Sequence, residues 1–300
     1  MSAKGLSAHL LTRENLEAVR KVAWQRGRPR ILDEARRYYG AHPEEVARIA
    51  ANLGAMGLGN DGAALDAVLD GIAAHYFEKL FALVKTYEAH WIALNRIDVG
   101  DALAVFAEAR ETGRGVFVAQ SHFGATYLLA SVLMAHKIEA SMVGKFPEPV
   151  GSLLRANGAA IAERYGTAKA HLLNLADPGV DVPMEMLVRL KQRQVLSNVF
   201  DENNEFSRPV RLLGREIFGG SGMDLILRHF TDAQLIVVTP FLVRTSDESF
   251  RYEIDRHSLA AGDVVQGFFG SLERRVLAHP EQWYFAQELH ESFEDKRKGT

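Results

Sequence analysis

With 300 residues, 47% of them hydrophobic, the chain is long enough for one large α/β unit or two smaller ones and apolar enough for an ordinary core. A formal net charge of −3 gives no general attraction to nucleic acid or to an anionic bilayer, so no nucleic-acid partner is expected. The absence of cysteine excludes thiol catalysis, disulfide staples and thiolate metal sites, and it suits a cytoplasmic protein.

In chain order, the first sixteen residues lack a secretory cleavage pattern. No window reaches the roughly 18–20 apolar residues needed to cross a bilayer. The first hundred residues read as helical. Spans 44–53, 63–74 and 76–94 carry apolar residues at helical spacing, and the glycine-rich stretch 54–62 is a loop. A further amphipathic helix is expected over 98–110, closed by Thr112-Gly113.

The pattern then changes. The apolar run 115–119 reads as a buried strand, Ser121-His122-Phe123-Gly124 as a short turn, and 125–133 as an apolar helix. A histidine in such a turn faces the C-terminal edge of a sheet, where open α/β folds bind ligands, and its ordinary pKa near neutrality suits proton transfer. It can equally be a residue that ties down the turn.

Downstream, strands are expected over 138–143, 159–162, 195–200, 210–213 and 235–243, with a β edge at 250–254. Helices are expected over 147–158, 184–191, 223–230 and 264–278. This alternation implies an α/β fold with a mainly parallel central sheet flanked by helices, behind an N-terminal helical extension. The boundary falls near residue 95, giving an extension over 1–95 packed on a core over 96–300.

Few local motifs pass their own tests. Phe218-Gly219-Gly220-Ser221-Gly222-Met223 fails as a nucleophile elbow, because Met223 stands where the second glycine is needed. The turn Gly219-Gly220-Ser221 remains a candidate to shape a pocket or to hold an anion with its backbone. No phosphate-loop signature or His-Glu-x-x-His cluster is present, so no catalytic metal is expected. Asp201 and Glu202 follow the strand 195–200, where a carboxylate can orient an imidazole or bind substrate. Lys145 and Arg164 each follow an expected strand and bring positive charge to the same edge.

Taken in order, these pieces resemble the lipid A late acyltransferase family, within the wider lysophospholipid and glycerol-phosphate acyltransferase superfamily. The likeness runs from about residue 77 to 293. It is carried by Glu88-Ala89-His90-Trp91, Ser121-His122-Phe123-Gly124, Val143-Gly144-Lys145-Phe146-Pro147-Glu148-Pro149, Val199-Phe200-Asp201-Glu202, Leu213-Gly214-Arg215, Val237-Val238-Thr239-Pro240-Phe241 and His279-Pro280-Glu281-Gln282-Trp283.

The resemblance implies a glycerol-phosphate acyltransferase-like fold. It also implies an acyl donor on acyl carrier protein (ACP) or coenzyme A and no bound cofactor. His122 would be the base for a hydroxyl or amine acceptor. Lys145, Arg164, Glu202 and Arg215 are then candidates for donor or substrate contacts.

Two departures stand out. The family pattern has an acid five residues after the histidine, where this chain has Tyr127, which cannot supply a negative charge at pH 7. The tyrosine hydroxyl can hold a ring nitrogen, or another carboxylate substitutes, with Asp201 the first choice and Glu139 the second. The family's N-terminal hydrophobic anchor is also replaced by a moderately polar helical stretch. A soluble or carrier-bound acceptor is therefore expected, with peripheral contact at the inner membrane face left open. Two rival readings use the same residues: a thioesterase with water as acceptor, and a catalytically silent relative that binds an acyl chain or carrier.

Overall fold

The computed structural model describes residues 5–146, 150–167, 170–175, 177, 179 and 181–296. The chain opens with six helices: α1 Gly5–Leu10, α2 Arg13–Lys21, α3 Trp24–Ala41, α4 Pro43–Ala55, α5 Gly62–Val84 and α6 Thr86–Asn95. The interruption expected near residue 75 is absent. His75 lies mid-helix in α5, and the break falls at Lys85. The helix expected from residue 98 starts later, as α7 Ala104–Thr112. Residues Ile97–Asp98 form a two-residue strand, β1. Gly113 closes α7 in the left-handed region, at φ +64°.

Strand β2, Gly115–Gln120, is buried at every position, the mark of a strand covered on both faces. It is followed by α8 Leu129–Ala135, β3 Ala140–Gly144, α9 Val150–Tyr165, β4 Ala170–Asn174, α10 Val182–Lys191 and β5 Val195–Val199. The strand expected over 159–162 belongs instead to α9. Its sequence, Ala159-Ala160-Ile161-Ala162, is mostly strong helix former and continues the preceding helical run. Positions 147–149 of the expected 147–158 helix lie outside the described residues.

Next come β6 Arg208–Leu212 and β7 Arg215–Gly219, an antiparallel pair separate from the main sheet. Gly219 therefore ends a strand, and the turn proper is Gly220-Ser221-Gly222. The chain closes with α11 Met223–Leu227, β8 Leu235–Arg244, β9 Phe250–His257 and α12 Val264–Ala278, then short 3₁₀ turns to Phe293.

Among the described residues the main sheet has seven strands, in the order β1-β9-β8-β2-β5-β3-β4. It is mostly parallel; β8 and β9 form its antiparallel pair. From the carboxyl end of β2 the chain leaves toward β3 and β4, whereas from β5 it returns past β2 to β8. Such a divergence opens a crevice where α/β sheets place ligands. One apolar core, continuous from Leu6 to Leu289, joins the N-terminal helices to the sheet. None of the described helices is long and apolar enough to cross a membrane.

Candidate active site

His122 and Asp201 are separated by 79 positions, yet the fold makes them neighbours. Pairing aligns Gln120 with Val199 at the carboxyl ends of β2 and β5, and Phe200 N–H continues the ladder to Gln120 O. One step further, Asp201 grips His122 twice. Its Oδ2 accepts the His122 backbone N–H at 2.8 Å, and its Oδ1 lies 2.9 Å from Nδ1. The backbone contact fixes the loop and the ring contact fixes the imidazole, so Nδ1 carries the hydrogen and Nε2 is left for chemistry.

Nε2 points toward a second carboxylate, Glu202 Oε1, at 3.5 Å. Burial by itself lowers the pKa of His122, but the charge and hydrogen bond of Asp201, with smaller help from Glu202 and Tyr127, outweigh it and raise the pKa to about 10. The histidine rests as an imidazolium. Glu202, although 59% of its side chain is accessible, sits where desolvation raises its carboxyl pKa; Asp201 and Glu288 push the same way, against His122 and Lys79.

Aromatic rings wall the imidazole. Phe285 stacks on it at 5.7 Å between centroids, Tyr284 lies at 5.5 Å, and 14% of the side chain remains accessible. These rings come from the C-terminal turns, which are fastened to the His122 loop. Gly124 N–H donates to Gln282 O, Phe123 bridges to Trp283, and the Gln282 side chain pairs with both backbone groups of Arg244. Gly124 has φ +64°, and a Cβ there would lie 2.1 Å from Leu242 O, so glycine is required.

From the opposite side, α5 supplies Glu78. Its carboxylate, 1% exposed, takes a bidentate grip from Arg244 at 2.5 and 2.7 Å, and Arg244 Nη2 also donates to Gly124 O at 3.0 Å. A buried pair of this kind is costly to break from one side.

Several residues expected at the site lie close together in the crevice. The Gly220-Ser221 turn lies under the Asp201-Glu202 loop: Gly220 N–H donates to Phe200 O, and Ser221 Oγ donates to Glu202 O. Gly219, one step earlier, packs against Phe269. Lys145 follows β3 at the same edge of the sheet and is exposed.

Others lie elsewhere. Glu139 precedes β3, at the opposite edge of the sheet, and pairs with His171 at 2.8 Å, so it is not the acid beside His122. Arg164 is at the far end of α9, its guanidinium over the Tyr87 ring, because the expected strand before it is helix. Arg215 donates to Ala55 O at the start of β7. Tyr127, in the turn 126–128, contacts His75 at 4.9 Å and lies beneath the Lys79 ammonium, whereas the His122 nitrogens face Asp201 and Glu202.

Sequence reasoning missed His75, Glu78 and Lys79. The signal was present: three polar side chains interrupt the apolar stretch Ala73-Ala74-His75-Tyr76-Phe77-Glu78-Lys79-Leu80-Phe81. Among the described residues no cluster of three or more potential ligands suits a metal ion.

No protein-family model matches the chain, and no match to it is found among curated proteins.

Proposed function

We propose that this protein is an acyltransferase that moves an acyl group from an ACP or coenzyme A thioester to a hydroxyl or amine acceptor. The observation that carries the reading is the double grip of Asp201 on the backbone and ring of His122 at the carboxyl edge of β2 and β5. It supplies the acid that the family pattern would put at Tyr127. The ordered motifs that resemble lipid A late acyltransferases support the same reading.

In this mechanism the acceptor lies against Nε2 of a deprotonated His122. The imidazole takes the acceptor's proton as its oxygen or nitrogen bonds to the thioester carbonyl carbon, and the carbonyl electron pair moves onto oxygen. Asp201 orients the ring and balances the imidazolium that forms. Collapse restores the carbonyl, breaks the carbon–sulfur bond and sends the thiolate off with the proton from Nε2. No acyl-enzyme is required.

The test is incubation with a panel of acyl-ACP and acyl-CoA thioesters plus hydroxyl and amine acceptors, read by mass spectrometry. Acylated product from the wild type, reduced about 10²–10⁴-fold in His122→Ala, is expected. Free acid as the sole product would make the protein a thioesterase. Unchanged turnover in His122→Ala would remove the mechanism.

A further inference from the structure

The helix α5 presents a second, unused set of polar groups to the same crevice. His75 and Lys79 are four residues apart and so share a face of the helix. His75 is 1% exposed, stacked on Tyr284 at 3.8 Å between centroids and 6.4 Å from the His122 ring, and among the described residues neither of its ring nitrogens has a well-formed hydrogen bond. Gly124 O lies near enough to draw the His75 pKa upward, the last of its influences, but it already receives Arg244 Nη2. A buried imidazole left unsatisfied is costly, and a ligand oxygen would satisfy it.

Burial first, then the positive charges of His122, Arg244 and Lys79, hold the pKa of His75 well below its ordinary value, so the ring is neutral and has one N–H to give. Beside it, Lys79 lies with its ammonium 5.0 Å above the Tyr127 ring and forms no ion pair with any described carboxylate. Burial lowers its pKa, but Tyr127, whose hydroxyl hydrogen-bonds it, and then Tyr76 and Glu288 outweigh this, so the net shift is upward. Glu202 and Glu288 act on it only at longer range.

We propose that His75 and Lys79 form the anion-binding side of the site, where they receive the thioester carbonyl oxygen and the negative charge it acquires during transfer. The assignment rests on the acyltransferase reading for the identity of the oxygen, but the anion site itself does not. A neutral imidazole can polarise a carbonyl without giving up its proton, and an adjacent, partly buried ammonium supplies charge. His122 handles the proton on one side of the reacting carbon, and α5 handles the electron pair on the other.

The probe is octane-1-sulfonate, a stable tetrahedral anion on an alkyl chain, titrated calorimetrically into the full-length protein. Wild type binds it. His75→Phe, which keeps the stack on Tyr284, and Lys79→Met each weaken binding at least tenfold, while Lys191→Met on the exposed end of α10 does not. In the acyl-transfer assay both α5 variants lose kcat by about 10²-fold or more with KM within twofold, as expected for donors used in the transition state.

No binding by wild type, or equal affinity in folded Lys79→Met, overturns the proposal. Should His75→Phe fail to fold, Lys79→Met decides alone. Sulfonate binding that depends on His75 and Lys79, with no thioester consumed, would leave the anion site standing and remove the transferase reading.

Discussion

Two imidazoles, 6.4 Å apart between centroids, have pKa values displaced in opposite directions. His122 has a carboxylate on its ring and its pKa rises to about 10; His75 has none, and its pKa falls well below the ordinary value. Burial pushes both downward, so the difference is made by Asp201. A sheet edge can bring a carboxylate to a loop histidine because two parallel strands end side by side. A helix face brings only its own neighbours, here Lys79 and the already committed Glu78. The same side chain is thereby made a proton carrier in one place and a neutral donor in the other.

The largest effect comes from removing that difference. Asp201→Asn keeps a polar group near His122 but deletes the charge and the clean acceptance of both hydrogens. Turnover should fall by about 10²–10⁴-fold, and the His122 imidazole, followed by NMR titration, should move from about 10 toward its ordinary range near 6.5. An unchanged titration would mean that Asp201 does not set the state of the ring.

The next prediction concerns what holds the two regions together. Glu78→Gln alone leaves Arg244 buried beside a neutral partner and should cost about 3–5 kcal/mol in urea unfolding. Replacing both, as Glu78→Met with Arg244→Met, should recover much of that stability. Activity should stay low in the double variant, because Gly124 O loses its donor and the turn carrying His122 loosens. Full activity in the double variant would show that the pair serves stability alone.

How far the chain could be read follows from the same contrast. The strand, turn and helix around His122 were legible because a six-residue buried strand, Gly115–Gln120, leaves a continuous apolar run ended by polar residues. Asp201 was legible as a carboxylate after a strand, although its pairing with His122 depends on strand order, which hydrophobic periodicity does not encode. Arg164 was misplaced because an alanine-rich helix end mimics a short buried strand. The α5 residues show as polar interruptions of an apolar run, but the sequence does not say where they face. Around residues 72–81 α5 is buried nearly all round, so no amphipathic stripe sets their direction.

A smaller effect should come from Gly71. A Cβ there would lie 1.6 Å from Glu281 O, so α5 and the C-terminal turn touch through bare backbone. Gly71→Ala must push that turn, and with it Tyr284 and Phe285, away from the two imidazoles. A loss of about 1–3 kcal/mol in urea unfolding is expected, within the usual cost of overpacking. A stability unchanged within error would mean that the C-terminal turn yields freely and does not set the spacing of the rings.

The smallest effect is the most specific. Glu202 is largely exposed, so its pull on Nε2 at 3.5 Å is partly screened, and Glu202→Gln should lower the His122 pKa modestly. Only the neutral ring can take a proton, so the rising limb of the pH–kcat profile should move to lower pH. At pH 7.5 more of the enzyme then holds a competent base, partly offset by its reduced basicity, and kcat should rise by about threefold. The stability linkage carries the corresponding sign. Because the folded pKa of His122 lies above the unfolded one, its contribution is fully present below about pH 6.5 and is lost as pH rises toward 10. Glu202→Gln should shrink that loss, read as a flatter dependence of urea stability on pH across this window. A profile displaced to higher pH, or one left in place, would mean that Glu202 acts on the substrate and not on the imidazole.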